Sequence, residues 1–187
     1  METFLTPIEK PSGFGMKLAY FFTKRQLGKV LMPLKVHSAR LPDAFGMFYG
    51  KVPSLDKKLQ LAPEVAMLIR QWVSRLNGCL FCMDASRAAV ISQSINEDKF
   101  DALEDYPTSS LFTEPDRAAL DYVTELTKNK KVNSATFARL SEFYSERQIC
   151  EIVYLVASEH LYNLTNIGLN IHSDQLCDIR RQQAERV

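Results

Sequence analysis

The sequence predicts an all-α fold, and three observations carry that prediction. Its recurrent apolar period is that of a helix, no segment alternates apolar and polar residues over a strand's length, and only seven glycines interrupt 187 residues. Apolar residues make up 46% and charged residues 24%, close to the globular average, and the length suffices for one domain with a real core. We read residues 1–187 as a single domain whose core spans about 14–172.

Taken in order, residues 14–52 read as a helix, a crossing punctuated by Met32-Pro33, and a helix near Pro42 to Gly50. Val65, Leu68, Ile69, Trp72, Val73 and Leu76 then fall on one helical face. This helix opens near Pro63-Glu64, where proline's missing N–H is harmless, and Asn77-Gly78 ends it. A helix from about Cys79 to Ile95 follows, then a short helix and loop in "NEDKFDALEDYPTSS". Thr113 with Asp116 forms a variant capping box ahead of Ala119, Tyr122, Val123 and Leu126. A basic connector, Asn129 to Asn133, leads to a helix marked by Phe137, Leu140 and Tyr144. Ser145 and Gln148 form a capping box for the most apolar helix, whose expected stripe is Ile149, Ile152, Val153, Val156, His160, Leu164 and Ile167. From about Asp178 the tail is charged and expected to fray.

A formal charge of +1 gives no electrostatic reason to expect nucleic acid or an acidic membrane as partner. No segment reaches the ~18 apolar residues of a membrane span, and none has the form of a signal peptide. A cytoplasmic, reducing location is the expectation, in which four cysteines serve as thiols rather than structural disulfides.

The stretch "LNGCLFCMDAS", Leu76 to Ser86, concentrates the chemistry. On a helix Cys79, Cys82 and Ser86 share a face, with Cys79 in the first turn, where unpaired backbone N–H groups favour a thiolate. Two sulfurs one turn apart suit a local disulfide in which one attacks and the other resolves. Zinc would need two further soft ligands. Cys150 and Cys177 are isolated, and His37, His160 and His172 lack ligand spacing, so no metal is expected. Two buried small hydrophobes remain the plain alternative.

With the preceding helix "EVAMLIRQWVSR", this stretch resembles the core of the carboxymuconolactone decarboxylase superfamily, and within it the alkylhydroperoxidase D (AhpD)-like branch, with its N-G-C-x-x-C-x-x-x-H pattern. The resemblance extends to "FFTKRQLGKVLMPLKVHSARLPDAF", "DRAALDYVTELT" and "SERQICEIVYLVASEHLYNLTNIGL"; its specific part is the Asn-Gly-Cys-x-x-Cys core. It implies an all-helical homo-oligomer in which Cys82 attacks a hydroperoxide or disulfide substrate and Cys79 is the more accessible resolving thiol. It also implies recycling by an external dithiol carrier such as lipoamide, with no bound metal or flavin. Two positions depart from the pattern: its histidine is Ser86 and its glutamate is Met67. A serine hydroxyl cannot accept a thiol proton at neutral pH as imidazole can, although Ser86 could donate a hydrogen bond to a Cys82 thiolate.

His160, on the apolar stripe of the last long helix, is the other auxiliary candidate. Glu64 reads as a helix-dipole partner, Asp84 as solvent-facing, His37 and His172 as structural or solvated, and Trp72 as core. The leading expectation is a thiol-dependent antioxidant oxidoreductase. The alternative is a catalytically weakened relative acting as a redox-responsive or small-molecule-binding oligomer. Lactone decarboxylation is disfavoured because that chemistry gives a vicinal dithiol no role.

Overall fold

The computed structural model describes residues 2–184, and among them every regular element is helical. Helix α1 is Phe14–Leu27. A π-helical turn, Leu34–Ser38, leads into a nearly continuous helical run made of α2 Pro42–Gly46, a π segment Met47–Lys51, and α3 Val52–Asp56. This run continues past the end expected at Gly50. Then come α4 Pro63–Asn77, α5 Leu80–Ser92, the short α6 Asp98–Asp101, α7 Glu114–Asn129, α8 Ser134–Ser141, α9 Glu146–Gly168 and α10 Leu176–Ala184.

Local chemistry sets the boundaries. Pro63 occupies the first turn of α4, and Gly78 ends that helix in the left-handed region at φ 70°. Both capping boxes form as expected, Thr113 with Asp116 on α7 and Ser145 with Gln148 on α9. Each satisfies N–H groups that a helix start leaves unpaired, and losing such a cap costs about 1 kcal/mol.

The principal core lies where α4, α7 and α9 meet, around Ile69, Val73, Leu120, Val123, Ile152 and Leu155. Burying each such side chain contributes about 1.5–3 kcal/mol. Trp72 belongs to this core, its indole N–H donating to Thr124 at 2.7 Å. A smaller cluster joins Val36, Cys79, Phe81, Cys82, Ala88 and Ile171 beneath α5 and α10.

Three sequence expectations need correction. The inward face of α9 runs through Ile149, Ile152, Leu155, Val156, Glu159, Asn163 and Asn166; Val153, Leu164 and Ile167 are exposed, Leu164 to 66%. Once the buried seam is followed through its polar members, their spacing of three and four is unbroken, and the outer positions belong to the next face. Cys150 is exposed as well, because it too lies off the seam. The charged tail, as far as the described residues reach, is helical as α10 and packed on α5, its last three residues lying outside the described ones. Asp84 explains that order: its carboxylate accepts from the N–H groups of Asp174, Leu176 and Cys177 and from the Ser173 hydroxyl, so it is a cap and not a solvated acid.

Candidate active site

The site starts with the Asn77-Gly78 break. Gly78 turns the chain so that the Cys79 N–H bonds back to Ser74 O at 3.0 Å and Cys79 becomes the N-cap of α5. Its sulfur accepts the Cys82 N–H at 3.4 Å. The Cα atoms of the two cysteines are 5.3 Å apart and their sulfurs are within disulfide-bonding distance. Both are nearly covered, Cys79 1% and Cys82 4% exposed. Cys82 lines a cavity of about 810 Å³, whereas Cys79 lies behind it among the small cluster's apolar side chains. The expectation that Cys79 is the more accessible sulfur is therefore reversed, because the N-cap position points it into the packed junction.

Apolar and aromatic groups make up most of the cavity wall, including Phe48, Tyr49, Leu61, Phe81 and Leu155. Tyr162 donates its hydroxyl to Phe48 O at 2.6 Å, and burial holds that phenol well above the ordinary range, so it is a donor and not a base. His37 also lines the cavity, edge-on to Phe48 at 5.2 Å, with burial pushing its imidazole towards the neutral form.

One polar patch interrupts the wall. Arg70 on α4 meets Glu159 on α9 at 2.8 Å and grips Asp56 with bonds of 2.8 and 2.9 Å. Burial alone would weaken Arg70's hold on its proton; Glu159 and Asp56 more than reverse that. Glu159 also accepts from Ser74 at 2.8 Å and Asn163 at 2.9 Å. It brings a carboxylate to the cavity that the sequence reading missed, but with Arg70, Ser74 and Asn163 all on it, it is built to hold position. Met67, where the pattern has glutamate, lines the cavity as an apolar side chain.

The auxiliary candidates fare differently from expectation. Ser86 does line the cavity and is buried, but its hydroxyl is directed to Gln71 Oε1 and to Met83 O. Its proton is therefore committed away from the Cys82 sulfur. His160 lies outside the cavity wall, with Nδ1 3.2 Å from Asn77 Nδ2 and Nε2 3.5 Å from Lys130 Nζ. Burial first, and Lys130 second, lower its proton affinity. It braces the α4 terminus. Glu64 pairs with Lys99 at 2.5 Å, a structural contact.

The side chain that does reach Cys82 is Asn166, whose Nδ2 lies 3.3 Å from Sγ. Sequence reasoning passed over it. The signal was the recurrence of Glu159, Asn163 and Asn166 at helical spacing, in line with the apolar seam of Ile149, Ile152 and Val156. Among the described residues no three His, Cys, Asp or Glu side chains gather as metal ligands, and no helix is long and apolar enough to cross a membrane.

No family model matches the sequence. The uncharacterized protein YnjA of Escherichia coli (strain K12) is 27% identical over 163 residues, spanning 86% of this chain and 89% of YnjA. Among solved structures, the debrominase Bmp8 in complex with 2,3,4-tribromopyrrole matches with a TM-score of 0.79 at 20% identity, over 98% of each chain. An uncharacterized peroxidase-related protein of Ralstonia eutropha JMP134, an alkylhydroperoxidase AhpD core, matches with a TM-score of 0.74 at 21% identity, over 95% of this chain and 98% of that one. The chain thus has the all-helical fold of AhpD-like and peroxidase-related proteins, as the resemblance of its Asn-Gly-Cys-x-x-Cys core implied.

Proposed function

We propose that the chain is a thiol-dependent oxidoreductase that reduces organic hydroperoxides through Cys79 and Cys82. The observation that carries this reading is a pair of sulfurs within bonding distance at the start of α5, one of them bordering a largely apolar cavity of about 810 Å³. Cys82, as thiolate, attacks the terminal oxygen of R–O–O–H. The S–O bond forms as O–O breaks, and the electron pair leaves on RO⁻, which takes a proton from water to give the alcohol. The Cys79 thiolate then attacks the Cys82 sulfenic acid, closing the disulfide and releasing hydroxide. A dithiol donor returns two electrons by exchange, becoming a disulfide itself. Since Cys79 is covered, that donor must enter by the cavity and attack Cys82, which suits a slender arm of the lipoamide kind better than a folded redoxin. A reducing compartment such as the cytoplasm would keep the pair ready. Self-association through the exposed Phe14, Phe21 and Phe22 of α1 belongs to the same reading.

A second reading, reductive removal of a halogen from an aromatic ring, is favoured by the aromatic wall and by the likeness to a debrominase. Both are tested together. Reduced protein is mixed with cumene hydroperoxide or a brominated pyrrole, and products and peptides are mapped. We expect cumyl alcohol with one Cys79–Cys82 disulfide, loss of all reaction in Cys82→Ser, and a trapped sulfenic acid in Cys79→Ser. Bromide release with the hydroperoxide untouched would install the second reading. No reaction with either would leave a redox-responsive or small-molecule-binding oligomer.

A further inference from the structure

We propose that Asn166 is a catalytic residue of this site, its side-chain N–H being the donor that holds the Cys82 sulfur as a thiolate. The inference rests on the thiol reading of Cys82 and adds the group that makes that sulfur reactive without a neighbouring base.

Geometry comes first. Asn166 Nδ2 is 3.3 Å from Cys82 Sγ, and among the described residues no other side chain donates to that sulfur. An N–H donor bonds an anion more strongly than a neutral thiol, so the contact favours the ionised form. The position of Cys82 in the first turn of α5 acts in the same direction. Each sulfur thus has a donor of its own: Cys79 takes the backbone N–H of Cys82, and Cys82 takes the amide of Asn166. Ser86 cannot share that task while its hydroxyl serves Gln71.

The second observation is what this asparagine gives up. The residue is 4% exposed, and its Oδ1 is buried without a hydrogen-bond partner. An unpaired buried acceptor opposes folding, and a leucine of similar size would fill the place without one. A packing role therefore does not account for an amide here. The single polar contact its side chain makes is with the reactive sulfur, and that contact does account for it. The Asn166 main chain separately anchors the end of α9, accepting the Ile171 N–H at 2.9 Å, a bond any side chain at 166 preserves.

The mechanism differs in kind from a histidine relay. A base removes the thiol proton during the reaction; an amide donor lowers the free energy of the thiolate beforehand, and the proton leaves to water. The site then needs no titratable partner beside Cys82, in keeping with Ser86 and Met67 standing where the resembling pattern has histidine and glutamate.

The test is the pH dependence of Cys82 alkylation by iodoacetamide in fully reduced protein, read by peptide mapping so that Cys79, Cys150 and Cys177 do not contribute. Asn166→Leu removes the donor at similar volume, and Asn166→Asp replaces it with an acceptor. The inflection should move up by about one to two pH units in the leucine variant and at least as far in the aspartate variant. The melting temperature of Asn166→Leu should be unchanged or higher. An inflection that stays in place in either folded variant overturns the proposal, as does a lower melting temperature with an unmoved inflection, which would mean packing alone. If the leucine variant does not fold, the aspartate variant decides. Alkylation reads the sulfur without any hydroperoxide, so a protein that proves inactive on hydroperoxides would still show or lack the shift.

Discussion

From Ser145 to Val156 the side chains of α9 buried against the principal core are Ile149, Ile152, Leu155 and Val156, with one buried acid, Glu151, accepting the N–H groups of Gln60 and Leu61; beyond Val156 the buried face is Glu159, Asn163 and Asn166, covered to a similar degree. The first half is stabilised by apolar area, which is tolerant of detail. The second half is a chain of pairings, Glu159 with Arg70 and Ser74, Asn163 with Asn77 and Glu159, Asn166 with Cys82. Buried polar pairs contribute little net stability over apolar replacements, yet losing one partner is costly because the other is stranded. The polar half brings the polar groups of α9 to the cavity and the thiols, where the apolar half contributes only Leu155. One helix thus divides stability and chemistry between its two ends.

Removing the central cation of the polar half should have the largest effect. Arg70→Leu strands Glu159, whose side chain is 7% exposed, and frees Asp56. We expect a loss of about 3–5 kcal/mol in urea unfolding. Arg70→Lys should recover part of it, since a single ammonium nitrogen cannot span Glu159 and Asp56 as the two terminal guanidinium nitrogens do. A loss below about 1 kcal/mol would mean the polar half is not one coupled unit.

The apolar half supplies the control. Ile152→Ala removes a fully buried side chain and should cost about 2–4 kcal/mol, close to the usual range for such truncations. Cys82 alkylation should keep its pH profile. Arg70→Leu, by contrast, changes the cavity wall and should alter access to Cys82 as well as stability. Equal effects of the two variants on alkylation would erase the distinction between the halves.

The difference also explains what could be read from the chain. Helix starts at Thr113 and Ser145, the break at Asn77-Gly78 and the thiol pair were legible because each rests on residues within a few positions of one another. In the first half of α9 apolar periodicity found Ile149, Ile152 and Val156 but took the exposed Val153 in place of the buried Leu155. It failed in the second, where it passed over Glu159, Asn163 and Asn166 and took His160, Leu164 and Ile167, because burial of polar groups depends on partners from α4 and α5. The order of α10 was hidden for the same reason. Its composition is that of a solvated tail, while its cap, Asp84, sits on another helix.

That cap gives a smaller, pH-dependent effect. Burial pushes the Asp84 carboxyl up, but the N–H groups of Leu176 and Cys177 and the Ser173 hydroxyl outweigh it and hold it below the ordinary aspartate value. A depressed native value means the stabilisation is complete above the unfolded value of about 3.9 and is lost as pH falls through the native one. Hydrogen exchange of the α10 amides should therefore accelerate only below about pH 4, ahead of α4. Asp84→Ala should loosen α10 at neutral pH by about 1 kcal/mol, as for other lost caps. Acceleration that begins near neutrality would assign the latch to another group.

Ser86→His should give the smallest change, and it bears most directly on how Cys82 is activated. Residue 86 follows Cys82 by one helical turn and borders the cavity, so an imidazole has room there. Gln71 Oε1, which now receives the Ser86 hydroxyl, would accept one ring N–H and leave the other nitrogen unprotonated. That imitates a histidine oriented by a carboxylate, but with a neutral partner. General-base assistance is typically worth about a hundredfold or more. If Asn166 already keeps Cys82 as thiolate, little proton transfer remains to assist, and the gain in Cys82 oxidation by cumene hydroperoxide should stay under about tenfold. The gain should also appear only as pH rises through the histidine range, near about 6.5. A hundredfold gain at neutral pH would show instead that Cys82 is mostly a thiol in the native protein, with the amide of Asn166 too weak to ionise it.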